Sequence, residues 1–69
     1  MTEFPLGESE YIELKNLLKV AGLAENGAEA KALISAGNIK VDGQVETRKA
    51  CKIRSGQIVD YKGQQIKVV

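Results

Sequence analysis

The sequence predicts an α+β fold in which two packed N-terminal helices are followed by a small antiparallel β-sheet. Two observations carry that expectation. Apolar residues recur at three- and four-residue steps as far as Leu33 and Ile34, then at two-residue steps from Ile39 and Val41. Glycines punctuate the same boundaries, with Gly22 and Gly37 placed as helix stops and Gly43 in a hairpin turn.

Residues 1–8 read as an extended lead, because Pro5 and Gly7 discourage helix. Residues 9–37 read as the helix pair. Ser9 is placed as an N-cap, and Tyr11, Leu14, Leu17, Leu18 and Ala21 form one apolar helical face behind it. Glu10 and Glu13 fall in the early turns and Lys15 and Lys19 in the later ones, which suits the helix dipole. Gly22 ends this helix, with Leu23 folding back on it. The second helix starts at Asn26, which with Glu29 has the spacing of a capping box. Ala30, Leu33 and Ile34 form its buried stripe, and Lys31 points away from it. Residues 38–69 read as the sheet. Asp42-Gly43 signals a type I′ hairpin, and Ser55-Gly56 and Lys62-Gly63 mark turns between the strand pieces of Ile53, Ile58, Val59, Ile66, Val68 and Val69.

A chain of 69 residues is the length of one small domain, too small to enclose a large substrate cavity. It has no His, which removes the commonest general base and imidazole ligand. Cys51 stands alone, so neither a disulfide nor a cysteine zinc cluster is expected. The seven glycines form no phosphate-cradling or dinucleotide pattern. No catalytic residue, metal, cofactor or small-molecule substrate is therefore expected. The acidic opening Met1-Thr2-Glu3 and the short apolar runs predict no signal peptide and no membrane partner, which points to the cytoplasm.

The net charge of +1 hides an asymmetry. Residues 1–30 hold two basic and six acidic residues, net −4, whereas residues 31–69 hold eight basic and three acidic ones, net +5. Within Arg48–Arg54 four cations fall in seven positions with no acid among them. Arg can fork two donors onto a phosphate and Lys supplies a compact charge. Taken alone, the stretch is equally an ordinary solvated loop. A DNA-reading helix-turn-helix is disfavoured, because residues 27–36 offer only Glu29, Lys31 and Ser35 as readers. Phe4, Tyr11 and Tyr61 do not form an interleaved stacking platform in sequence.

The segments Leu14–Ala24 and Ala28–Gly43 together resemble the αL RNA-binding domain of the ribosomal protein S-four type. Gly37 closes the second helix, Val41-Asp42-Gly43 stands at the hairpin, and Arg54-Ser55-Gly56 supplies a basic residue before a turn glycine. The resemblance spans about residues 10–61 and is strongest to the short stand-alone bacterial YbcJ-like members, through Glu46-Thr47-Arg48-Lys49 and Cys51-Lys52-Ile53. It implies a module that binds structured RNA, ribosomal or transfer RNA, with the ribosome as a possible setting. Arg48, Lys49, Lys52 and Arg54 would meet phosphates, with Lys31 and Lys40 extending the track. Many members carry Ser-Arg at the start of the second helix, where this chain has Asn26-Gly27. Asn26 can still cap and donate there, but Gly27 brings no charge. The alternative is a protein-interaction module that keeps the fold without binding RNA.

Overall fold

The computed structural model describes residues 1–69. The chain runs β1 (Thr2–Phe4), β2 (Ile12–Glu13), α1 (Leu14–Val20), α2 (Gly27–Ser35), β3 (Ile39–Val41), β4 (Gln44–Val45), β5 (Lys52–Ile53), β6 (Ile58–Tyr61) and β7 (Gln64–Val68). Five strands form one sheet in the order β1-β7-β6-β3-β4, and β2 and β5 pair separately. One buried cluster unites the layers: Leu14, Leu17 and Leu18 of α1, Ala30 and Ile34 of α2, and Ile39, Ile53, Val59, Ile66 and Val68 from the strands. No polar or charged side chain is buried.

Local chemistry sets the helix ends. At Gly22 (φ +79) the Leu23 N–H donates to the Leu18 carbonyl and the Gly22 N–H to the Lys19 carbonyl. This pair of bonds is a Schellman motif, which satisfies carbonyls the helix leaves without partners. Gly37 repeats it, with Asn38 bonded to Leu33 and Gly37 to Ile34. The Asn26 side chain accepts from the Glu29 N–H at 2.8 Å, so the second helix starts where its cap predicts.

Three expectations need correction. The architecture is α+β, but strands come first, because the extended lead joins the sheet. Thr2–Phe4 pairs in parallel with β7, in register Thr2↔Ile66 to Phe4↔Val68, so the sheet is mixed rather than antiparallel. Phe4 and Leu6 pack on the core, which draws the strand in. Pro5 ends it at the sheet edge, where a missing N–H is tolerated.

The first helix does not start at Ser9. It begins at Leu14, with Glu13 at the N-cap and no side-chain cap bond. Glu10 and Glu13 therefore lie outside the helix, and Lys15 is in its first turn rather than a late one. Tyr11 leaves the apolar helical face and is exposed. The cause is tertiary. Ile12 pairs with Ile53 and Glu13 with Lys52, so residues that could have helical spacing are extended instead. Ile53 accordingly belongs to this separate ladder and not to the main sheet.

Candidate nucleic-acid interface

The basic stretch is held at both ends and in its middle by main-chain bonds. Asp42 (φ +51) and Gly43 (φ +84) give the β3–β4 turn the two positive φ values of type I′. The chain returns through β4, and the Glu46 N–H donates to the Ile39 carbonyl at 2.9 Å. Further on, the Leu14 N–H donates to the Cys51 carbonyl at 2.9 Å and the Lys15 N–H to the Lys49 carbonyl at 3.1 Å. These are first-turn donors that a helix cannot satisfy internally. The basic stretch thus caps α1 with its own carbonyls, which explains why no side-chain cap is needed. Beyond it, the Arg54 N–H donates to Gln57 Oε1 at 2.8 Å. Gln57 Nε2 donates to Asp42 Oδ2 at 3.3 Å, and the Ile58 N–H donates to Asp42 Oδ1 at 2.9 Å. The hairpin and the end of the ribbon are joined through that one carboxylate.

Backbone groups turned inward leave the cationic side chains outside. Arg48, Lys49, Lys52 and Arg54 are all exposed. Arg48, Ala50, Cys51 and Lys52 line an open groove of about 450 Å³. Arg48 is not a free cation, however. Its Nη2 lies 2.9 Å from Glu46 Oε1 and its Nε 3.0 Å from Oε2, a two-pronged ion pair. The Arg48 N–H also donates to Oε2 at 3.0 Å. These bonds, the guanidinium's first, hold the Glu46 carboxyl at about 2 instead of 4.5, and the same pairing raises the Arg48 guanidinium above its ordinary value. Burial, reinforced by the Glu46 charge, pushes the Cys51 thiol up.

The other end of the ribbon has a different neighbour. Lys52 Nζ lies 5.0 Å and Arg54 Cζ 5.6 Å from the centre of the Tyr11 ring. Both distances are within cation–π reach. The ladder explains the meeting. With Ile12 opposite Ile53 and Glu13 opposite Lys52, alternation sends Ile12 and Ile53 inward and Tyr11, Lys52 and Arg54 outward. Tyr11 was not among the residues the sequence singled out for binding. The available signal was a period of two across Tyr11-Ile12-Glu13, hidden because Tyr11 also fits the helical period of Leu14 and Leu18.

The remaining candidates lie on other elements. Lys40 is exposed on β3, opposite Val45 of β4 and Asp60 of β6. Lys31 is exposed on α2. Asn26 spends its side-chain oxygen on the Glu29 N–H. Gly27 occupies the first helical position, and a Cβ added there would meet nothing within 4 Å, so no steric contact requires a glycine.

Similarity to known proteins agrees with this architecture. The S4 domain family matches residues 4–69. YbcJ of Escherichia coli (strain K12), named as a candidate RNA-binding protein, is 51% identical over 69 residues, covering 100% of this chain and 99% of the relative. YbcJ of Shigella flexneri matches to the same extent. The solution structure of E. coli YbcJ, described as revealing an αL motif involved in RNA binding, superimposes with a TM-score of 0.77 over 100% of this chain and 87% of that one. With the fold and nearly the whole length in agreement, the chain belongs to the S4 domain family.

Proposed function

We propose that this protein binds structured RNA, ribosomal or transfer RNA in the cytoplasm, through the ribbon Arg48–Arg54. The observation that carries the reading is the ribbon's anchoring. Its carbonyls are bonded to the start of α1, so its cations are presented outward on a fixed backbone rather than a loose loop. The RNA-binding description of the relative supports the same reading. Lys49, Lys52 and Arg54 supply phosphate contacts, Arg48 joins them when its fork leaves Glu46, and Lys31 and Lys40 extend the positive track. Asn26 contributes through its amide hydrogens. Phosphate contacts fix register without reading sequence, so selectivity comes from RNA shape. The protein is a binding module and not an enzyme in this reading.

Salt dependence tests it. Each phosphate contact contributes about 0.7–0.9 to the slope of log K against log salt. Replacing Lys49, Lys52 and Arg54 together by Ala should flatten that slope for an RNA hairpin by roughly 2–3 units. An unchanged slope places the RNA elsewhere. Recovery of proteins but no RNA after crosslinking in lysate would favour the interaction-module alternative.

A further inference from the structure

We infer that Tyr11 is a stacking platform for one unpaired nucleobase of the bound RNA. The inference rests on the RNA-binding reading and deepens it by naming the feature the protein recognises. The chain has three aromatic residues. Phe4 and Tyr61 pack against the core, whereas Tyr11 does not and is 38% exposed. An aromatic ring left outside a core this small contributes little to folding, yet here it is held in place. The adjacent Ile12 pairs with the buried Ile53, and Lys52 of β5 and Arg54 just beyond it reach the ring.

The surroundings of the ring are asymmetric. On one side stand the two cations. On another opens a groove of about 500 Å³, lined by Ser9, Glu10, Tyr11, Ile12, Glu13 and Asn16, to which Lys52 and Arg54 do not contribute. That space accommodates a flat base. The two glutamates keep a phosphate out of the groove, while their oxygens accept from base amino groups. The cations draw the nucleotide's phosphate to the β5 side. Base and phosphate therefore meet different linings around one ring, which suits a nucleotide splayed out of a helix. A fully paired stem has no base to offer.

The test uses the full chain and two RNA hairpins, identical except that one carries a single unpaired 2-aminopurine. The wild type should bind the bulged hairpin more tightly, by roughly 5- to 150-fold, the range of one base–aromatic stack. Its 2-aminopurine fluorescence should be quenched on binding. Tyr11→Phe should keep both effects. Tyr11→Leu should abolish both, with an unaltered thermal midpoint showing that the fold is intact. Equal wild-type affinity for the two hairpins, or a preference that survives Tyr11→Leu, overturns the platform and leaves the RNA-binding reading standing. Absence of salt-dependent binding to either hairpin overturns both.

Discussion

The two ends of the basic ribbon carry similar charge but are wired differently. Arg48 has both prongs of its guanidinium on Glu46, although its side chain is 76% exposed. Lys52 and Arg54 have no carboxylate within ion-pair distance and rest near an aromatic ring instead. A phosphate approaching Arg48 must displace an internal carboxylate, whereas one approaching Lys52 or Arg54 displaces only water. A count of basic residues therefore overstates the charge that is free. The acid that corrects the count, Glu46, lies just outside the basic run and folds back onto it.

The Lys52–Arg54 end rests on the core residue between its two cations, and removing that residue has the largest effect. Ile53 is fully buried and is the inward residue of β5. Ile53→Ala should destabilise the protein by about 2–5 kcal/mol, the usual cost of such a truncation. Urea denaturation measures this, and an unchanged midpoint would show that the β2–β5 ladder is not held by the core. The next effect separates the two ends. Gly43 sits at φ +84 with nothing within 4 Å of an added Cβ. The cost of Gly43→Val is then backbone strain, about 1–3 kcal/mol. Because the hairpin leads straight into Glu46, hydrogen exchange should rise more around Glu46 and Arg48 than around Lys52. Equal increases would mean that the ends are not independently anchored.

What the sequence could reveal follows from how local each feature is. The Asn26 cap, the Gly22 and Gly37 stops and the Asp42-Gly43 turn each rest on a few neighbouring residues, and each is where its residues predict. The basic stretch was legible for the same reason. Pairings between distant segments were not. Thr2–Phe4 meets β7 from the opposite end of the chain, and the period of two at Ile12–Glu13 is masked by the helical spacing that Tyr11 shares with Leu14 and Leu18. That second failure misplaced Tyr11 on a helix and hid its meeting with Lys52 and Arg54. The Glu46–Arg48 fork escaped because two residues of separation do not say whether side chains converge.

A smaller effect compares the ends directly. Lys52→Ala with Arg54→Ala should flatten the RNA salt slope by roughly 1.4–1.8 units, two full contacts. Arg48→Ala should flatten it by less than the 0.7–0.9 or so of one contact, because its charge is already partly spent on Glu46. Fluorescence anisotropy across a salt series measures both. A full contact's loss from Arg48→Ala would show that the fork opens freely and that the ends are equivalent.

The smallest effect should come from releasing that fork. Glu46→Gln keeps the shape and one acceptor but removes the charge that holds Arg48. The Glu46 carboxyl is held at about 2 in the fold against 4.5 ordinarily. A depressed carboxyl contributes its stability above the unfolded value and loses it as pH falls toward the folded one. Wild-type stability should thus decline more than that of Glu46→Gln between pH 4.5 and about 2, while near neutrality the wild type is slightly the more stable. The difference between the two proteins is the quantity to read. RNA binding should change in the opposite sense. With Arg48 released, the variant should bind an RNA hairpin more tightly at pH 7, with a slope steeper by up to about 0.9. Glu3→Gln is the control, since it removes an acid from β1 and leaves the fork in place. If Glu46→Gln gains no more affinity than Glu3→Gln, the gain is net charge alone, and Glu46 does not restrain Arg48.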